Sequence, residues 1–270
     1  MGYGAENKNQ EKEDRILMAG IEDRMRQSEE RYMITNSHFL DMRQRSMAEK
    51  LSRSLKGPDF AFYGGYPDAE RVIEVFFPEG FMEGGSAEEH FRRIPRENPL
   101  TVIRAELKRG TSALSHRDYL GALMGLGIKR EMTGDILVRD DGADLIVLKE
   151  IADFLLLNYM KAGRANLSLS EVPVQELRRP QRSRVEIAES VASLRLDNVV
   201  SAAFRLSRSA AAEAIVSGAV FVDGLGEKKP DRQVREGEKI VLRGKGRTVL
   251  LRVGDQNRKG RVRIILERYE

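Results

Sequence analysis

Two residue types that often build functional sites are absent or scarce in this sequence. Of its 270 residues, none is cysteine and only three are histidine. The lack of cysteine excludes disulfides and zinc–thiolate sites, and His38, His90 and His116 are far apart in the chain. We therefore expect no metal centre and no cofactor.

Long apolar stretches are also missing. Hydrophobic residues make up 41% of the chain, but no run approaches the roughly 18 consecutive apolar residues of a membrane span. The first residues do not show the basic segment followed by an apolar one that marks a secretory leader. We expect no membrane partner and a cytoplasmic location.

Positive charge is concentrated in the last third of the chain. From Arg178 onward there are 21 Lys and Arg against 12 Asp and Glu, a net charge of +9, whereas residues 1–177 hold 25 basic and 30 acidic residues, a net charge of −5. A basic segment attracts polyanions such as nucleic acids. Charge runs are also typical of plain solvated surfaces, so the charge alone leaves both interpretations open.

The pattern of apolar residues predicts an α+β protein of three domains, the first spanning residues 1–98. Its first 15 residues are polar and are predicted to be frayed. The elements expected after them are helices at 13–34 and 38–55 and strands at 60–66 and 72–77. Residues 79–98 are rich in Gly, Glu and Arg and are predicted to form a loop or a domain boundary.

Residues 99–177 are predicted to form a second domain in the order β-α-β-β-α-β. This is the split βαβ arrangement of ferredoxin-like folds, which RNA-recognition motifs share. The expected strands are 100–107, 135–139, 144–148 and 167–173, and the expected helices are 117–126 and 150–161. RNA-recognition motifs stack bases on aromatic side chains of their strands, but residues 143–148 contain no aromatic. We expect an RRM-like fold without base stacking on its sheet.

Residues 178–192 are predicted to be a basic linker that precedes a third domain at 193–270. In that domain Leu196, Val199, Val200, Ala203 and Phe204 have the spacing of one helical face. Ser207 is typical of a helix cap, and the apolar face of the helix that it begins is predicted to be Ala211, Ala212, Ile215 and Val216. Short strands and glycine turns follow, including a basic turn at residues 244–247.

The third domain resembles the S4 RNA-binding domain over about 60 residues. The stretches that carry the resemblance are Leu194–Asp197, Leu206–Ser209, Ile215–Gly224 and Gly237-Glu238. The family commonly has Asn where Asp223 stands here, and both residues suit a turn. The resemblance implies RNA contact by Arg195, Ser207, Arg208, Ser209 and Lys245.

Charge and position add Arg205 and Arg247 to these candidate RNA-binding residues. Ser207 is also expected to act as a helix cap. Asp197 is expected to orient the start of the first helix, because a carboxylate is stabilising there and is a poor phosphate partner.

The chain as a whole resembles the YlmH family of bacterial proteins. The matching stretches outside the S4 module are Tyr63–Tyr66 with Ala69–Arg71, His116–Arg130 and Gly134–Val138. This resemblance implies a link to the large ribosomal subunit and to rescue of stalled translation, and in some bacteria to cell division. The implied partners are 23S rRNA or tRNA, together with other translation or division proteins.

Three features of the first two domains have a functional and a structural interpretation. Lys129 and Arg130 are a candidate second RNA contact or a solvated turn. Tyr63 and Tyr66 resemble base-stacking residues, although a buried hairpin is favoured. The run 116–118, His-Arg-Asp, resembles a catalytic pair, but successive helical side chains point about 100° apart and do not converge.

Three functions follow as hypotheses, and the first is favoured. The first is a non-catalytic factor that binds RNA on the large ribosomal subunit. The second is an RNA-modifying enzyme such as a pseudouridine synthase or methyltransferase, although the only Arg-Leu-Asp run, residues 195–197, lies in the S4 module and no glycine-rich cofactor loop follows a strand. The third is a division-linked scaffold whose complexes would survive RNase.

Overall fold

The structure is a computed structural model that describes residues 3–67, 69–82, 85–108, 110–180, 184–257 and 260–269. The chain forms two compact units, Met1–Pro180 and Gln181–Glu270. The helices are α1 (Tyr3–Arg31), α2 (Met42–Ser54), α3 (Ala87–Arg93), α4 (His116–Gly125), α5 (Ala152–Asn158), α6 (Leu196–Phe204) and α7 (Arg208–Val216). The α+β class is as predicted, although α1 begins at Tyr3, where a frayed terminus was expected.

Within the described residues, the strands form three sheets. They are β1 (Thr35–Asn36), β2 (Asp59–Tyr63), β3 (Ile73–Phe77), β4 (Leu100–Leu107), β5 (Thr133–Arg139), β6 (Gly142–Leu148), β7 (Lys161–Ala162), β8 (Ala165–Val172), β9 (Arg184–Val191), β10 (Val220–Val222), β11 (Leu225–Gly226), β12 (Lys239–Leu242), β13 (Gly246–Gln256) and β14 (Val262–Tyr269).

The second sheet has the predicted ferredoxin-like topology. Its strand order is β5-β6-β4-β8-β7, with neighbours antiparallel. The order of its four long strands is that of a split βαβ fold, with β6 inserted between β4 and β5. Ser115 caps α4 in a capping box with Asp118, and Gly127 ends it at φ +78°.

Strand β6 and most of β4 are buried on both faces, which distinguishes this sheet from an RNA-recognition motif with an open sheet. Leu145 and Val147 of β6 pack in the core that includes Leu123 of α4 and Leu155 of α5. The alternate β6 residues pack against the first sheet, whose order is β1-β3-β2, in a second core. Packing therefore leaves no room for base stacking on β6 or on the buried part of β4, and neither strand contains an aromatic residue.

The same packing joins the segments on either side of residue 98, the predicted domain boundary, into one compact unit of residues 1–180. Tyr63, Phe77 and Phe91 lie before that boundary, and Leu100 and Ile146 lie after it, yet all five share one buried core. Removing this shared apolar surface from water is the main force joining the two segments.

A helix lies where residues 79–98 were predicted to form a loop or a domain boundary. Ser86 accepts a hydrogen bond from the backbone N–H of Glu89, while the Glu89 side chain accepts one from the backbone N–H of Ser86. This capping box begins α3 and satisfies two donors that a helix start leaves open. Phe91 of α3 is fully buried, so the segment belongs to the core.

Two of the stretches that resemble the YlmH family meet at Asp135. Its carboxylate accepts hydrogen bonds from the Tyr66 hydroxyl at 2.7 Å, from the Glu70 backbone at 2.7 Å and from the Arg71 backbone at 3.1 Å. The preceding Gly134 is needed for space, because a Cβ there would lie 2.6 Å from the Phe39 ring. These residues therefore hold the two sheets together.

The second unit contains the predicted two-helix module on a six-stranded sheet of order β11-β10-β12-β13-β14-β9. Helices α6 and α7 bury Val199, Val200, Ala211 and Ile215 against the sheet. Val216 was predicted to lie on this apolar face, but it is 60% exposed because it is the last residue of α7 and lies beyond the sheet contact.

A strand replaces part of the predicted linker at residues 178–192. Strand β9 pairs with β14 from Arg184 to Val191, and residues 181–183 lie outside the described part of the chain. Pro180 precedes the strand, so it removes no donor from the ladder.

None of the helices in the described ranges is long and apolar enough to cross a membrane.

Candidate RNA interface

A sharp corner between α6 and α7 forms the centre of the candidate interface. Arg205 ends α6 in the left-handed conformation, with φ 52°, which turns the chain within a few residues. Ser207 then begins α7, and its hydroxyl accepts a hydrogen bond from the Ala210 backbone at 3.1 Å. The predicted cap is confirmed, and Arg205, Ser207, Arg208 and Ser209 are all exposed.

Two arginines share one carboxylate at this corner. Arg195 donates to Asp197 through Nε at 3.2 Å and Nη2 at 2.9 Å. The Arg208 Nη2 atom lies 3.8 Å from the Asp197 Oδ2 atom. The Asp197 side chain is 8% exposed, whereas those of Arg195 and Arg208 are 38% and 63% exposed. Asp197 thus holds two cations whose outer surfaces face solvent.

The start of α7 adds further anion-binding groups beside these arginines. The first turn of a helix leaves backbone N–H groups without intrahelical partners, and the helix dipole is positive there. The Ser207 and Ser209 hydroxyls lie 3.0 Å apart. Two hydroxyl groups are therefore available at the start of α7. Such a corner can bind a phosphate through full charges, backbone dipoles and hydroxyl donors together.

The remaining S4 candidates lie away from this corner. The Arg243 backbone donates to the Ala219 carbonyl at 2.9 Å, so the turn containing the exposed Lys245 lies beside the far end of α7. Nine residues of helix separate the two ends by about 13 Å. Arg247 was predicted to contact RNA but is buried, at 9% exposure, because it lies inside the β12–β13 ladder rather than in the turn.

Two lysines that the sequence analysis did not single out lie on the segment between these positions. Lys228 and Lys229 are exposed. The Lys228 Cε atom lies 3.7 Å from the position that a Cβ on Gly218 would occupy, and Pro230, which follows Lys229, accepts a hydrogen bond from the Asp197 backbone at 3.0 Å. Two adjacent lysines in the sequence could have suggested an RNA contact, but the position of Lys228 and Lys229 depends on how the loop that contains them folds back.

Lys129 and Arg130, the other predicted RNA contact, have different environments in the structure. The Lys129 side chain is 78% exposed and lies 3.8 Å from Glu131. Arg130 is not a free surface cation: its Nη1 group donates to the Thr133 carbonyl and hydroxyl at 2.7 Å and to the Gly134 carbonyl at 2.9 Å. Burial, with Arg71 nearby, lowers the pKa of Arg130 to about 10. Its contacts give Arg130 a structural role.

In the His-Arg-Asp run at 116–118, the Asp118 side chain has a structural role at the start of α4. Asp118 accepts hydrogen bonds from the Ser115 backbone at 2.8 Å and hydroxyl at 2.7 Å. These bonds lower the pKa of the Asp118 carboxyl and complete the cap of α4. Within the described ranges, no group of three or more His, Asp or Glu side chains is placed to hold a metal ion.

Replacing Ser207 by alanine is expected to destabilise α7 by about 1 kcal/mol, because it removes the cap. Amide hydrogen exchange in the first turns of α7 should become about fivefold faster. The matched control is Ser209→Ala. The Ser209 hydroxyl contacts the Ser207 side chain and caps no backbone N–H, so this variant should leave exchange nearly unchanged. Equal exchange rates in the two variants would show that Ser207 is not the cap.

Two known domain families match this chain. The S4 domain family matches residues 194–240, and a family described as "Putative RNA-binding domain in YlmH" matches residues 100–176. The corner of α6 and α7 lies inside the first match. The protein is therefore an RNA-binding protein of the S4-domain class.

A relative from Bacillus subtilis (strain 168) extends the match to most of the chain. It is called "Ribosome-associated protein quality control protein P2" and is 31% identical over 245 residues, which cover 90% of each chain. The chain belongs to the YlmH family. A solved structure of the cell division protein ylmH from Streptococcus pneumoniae covers 62% of this chain and 95% of its own, with 21% identity and a TM-score of 0.47.

Proposed function

We propose that this protein is a non-catalytic factor that binds ribosomal RNA or tRNA on the large ribosomal subunit during rescue or quality control of stalled translation. The observation that carries the proposal is the corner where Arg195 and Arg208 share Asp197 within the S4 match. The name of the Bacillus subtilis relative supports the ribosomal setting.

The corner binds the RNA backbone in this proposal. Arg208 and Arg195 contact adjacent phosphates, and Ser207 and Ser209 donate hydroxyl hydrogen bonds at the start of α7. Asp197 is a positioning residue, since it fixes both guanidinium groups without facing the RNA itself. Such contacts set the position and orientation of the protein on RNA.

A wider basic surface extends the contact along the nucleic acid. Arg205 flanks the corner, and Lys228, Lys229 and Lys245 lead towards the far end of α7. Each exposed cation that neutralises a phosphate adds a salt-sensitive contribution to affinity. Lys129 of the other unit is proposed as a separate, weaker contact.

Binding without chemistry is consistent with the contacts of the residues that resembled a catalytic group. In the run 116–118, Asp118 caps helix α4 through its hydrogen bonds with Ser115. A binding factor needs only a charged surface of suitable shape, which the second unit supplies.

The proposal is tested by sedimenting cell extracts through sucrose gradients, followed by crosslinking and sequencing of the bound RNA. We expect the protein in the large-subunit fractions, with crosslinks to 23S rRNA or tRNA. Treatment with RNase should release it. Sedimentation with no ribosomal particle, or a complex that survives RNase, would contradict the proposal and favour a protein scaffold.

A further inference from the structure

A pocket of about 310 Å³ lies in the first unit, at the end of β2. Its lining includes Tyr66, Glu88, Arg92, Gln175 and Arg179. Tyr66 is half-buried, whereas Arg92, Gln175 and Arg179 are exposed at the rim. The pocket therefore combines an aromatic surface with cations open to solvent.

The aromatic surface is held rigidly. The Tyr66 hydroxyl donates to Asp135 at 2.7 Å, and the same carboxylate accepts two backbone hydrogen bonds. The preceding Gly65 has φ +86°, and a Cβ there would lie 3.1 Å from Val174. Glycine thus lets the Tyr66 segment approach the opposite wall, and the ring orientation is fixed before any ligand binds.

A guanidinium group lies over this ring. The Arg179 Cζ atom is 5.7 Å from the Tyr66 ring centroid. The backbone before Arg179 is anchored, because the Arg178 N–H donates to the buried Asp144 carboxylate at 2.8 Å. The Arg179 side chain itself is exposed, so it can move outward while its backbone stays in place.

We propose that this pocket binds one unpaired nucleotide of an RNA strand, with its base stacked between Tyr66 and Arg179. Aromatic rings and arginine planes are the usual stacking partners of splayed bases. Arg92 at the rim contacts the neighbouring phosphate. The Glu88 carboxylate accepts a hydrogen bond from an exocyclic amino group, which favours adenine, cytosine or guanine over uracil.

The fold explains why RNA would bind here rather than on the sheet of the same unit. Strand β6 and most of β4 in that sheet are buried on both faces, and its long strands contain no aromatic residue, although the domain match at residues 100–176 describes an RNA-binding domain. Val174 and Gln175, at the end of that match, line the pocket. The inference rests on the proposed function in assuming RNA as the ligand, but it does not depend on the S4 corner.

The test uses the full chain and a short single-stranded RNA of mixed sequence that contains 2-aminopurine, whose fluorescence is quenched by stacking. All variants carry Arg208→Ala as well, so that the S4 contact is weakened throughout. Tyr66→Leu should abolish the quenching and weaken binding about tenfold, within the range for one lost stack. Tyr66→Phe keeps the ring and should retain both signals.

A matched pair of charge variants tests the pocket without changing its aromatic wall. Arg92 lines the pocket and its neighbour Arg93 does not, so Arg92→Gln should weaken binding severalfold more than Arg93→Gln. This pair decides the matter if Tyr66→Leu fails to fold. Quenching that persists in folded Tyr66→Leu, or equal effects of the two arginine variants, would overturn the proposal.

The two proposals fail in different ways. If the S4 corner does not bind RNA, adding Arg208→Ala to the wild type leaves affinity unchanged while the 2-aminopurine quenching remains. If the pocket does not bind a base, the quenching is insensitive to Tyr66 while Arg208→Ala still lowers affinity.

Discussion

Replacing Asp144 by alanine is expected to lower the free energy of unfolding of the first unit by about 3–5 kcal/mol, the usual cost of removing one partner from a buried ion pair. The Asp144 side chain is fully buried. Its carboxylate accepts hydrogen bonds from Arg104 at 3.0 and 2.9 Å, from Arg139 at 2.8 Å and from the Arg178 backbone at 2.8 Å. The variant would leave the Arg104 charge buried without its partner.

Tyrosine fluorescence during urea unfolding measures this change well. The chain has seven tyrosines and no tryptophan, and only Tyr269 lies beyond residue 180, so the signal reports mainly the first unit. The control is Asp141→Asn, since Asp141 is 65% exposed and pairs only at the surface with Arg139; its effect should stay below about 1 kcal/mol. Similar losses of unfolding free energy in both variants would show that the buried hydrogen bonds of Asp144 stabilise the unit no more than the surface pair of Asp141 does.

Asp144 also predicts how stability responds to acid. Burial alone would raise the pKa of its carboxyl, but hydrogen bonds from Arg104, Arg178 and Arg139 together hold that pKa below its usual value. A carboxyl with a lowered folded pKa stabilises the protein above its unfolded pKa of about 3.9. This contribution is lost as the pH falls through the folded value.

Glu74 should act in the opposite direction, making the first unit about 2–3 kcal/mol less stable at pH 8 than at pH 5. It is fully buried on β3, and neither carboxylate oxygen has a hydrogen-bond partner within bonding distance among the described residues. Burial raises the pKa of the Glu74 carboxyl to about 7, against an opposing effect of the Ser52 hydroxyl. Because the folded state holds this proton more tightly than the unfolded state, stability falls as the pH rises through this window.

The variant Glu74→Gln removes the ionisation and should make the stability of the first unit nearly constant between pH 5 and pH 8. Glu79→Gln is the matched control, because Glu79 is an exposed carboxyl two residues beyond the end of β3. Urea unfolding at several pH values measures both. If wild type and Glu74→Gln lose stability in parallel over this range, the carboxyl at position 74 is not the titrating group.

The local elements were readily predicted from the sequence because their signals are local. Strand β4 has the predicted bounds, and the caps at Ser115 and Ser207 follow from residue type and spacing. The missed helix α3 also carried such a signal in Ser86 and Glu89, a capping box inside a segment whose glycines and charges favoured a loop.

The tertiary arrangement was not predictable, because it depends on segments that are distant in the sequence. That β6 is buried on both faces requires knowing that the first sheet packs on the second. Arg130 looked like a surface cation beside Lys129 until the turn folded its guanidinium onto the Thr133 and Gly134 carbonyls. Likewise, the side-chain bond between Arg195 and Asp197 depends on rotamers that no spacing reveals.

The most direct test of the central claim is the salt dependence of RNA binding by the full chain, measured for wild type, Arg208→Ala and the control Arg252→Ala. Arg252 is an exposed arginine on β13, in the same unit as Arg208. We expect Arg208→Ala to weaken binding of a ribosomal RNA fragment by about tenfold and to reduce the slope of log K against log salt by about one, as for one lost phosphate contact. Arg252→Ala should match wild type. Equal affinities and slopes for all three proteins would contradict an RNA-binding surface at the corner of α6 and α7.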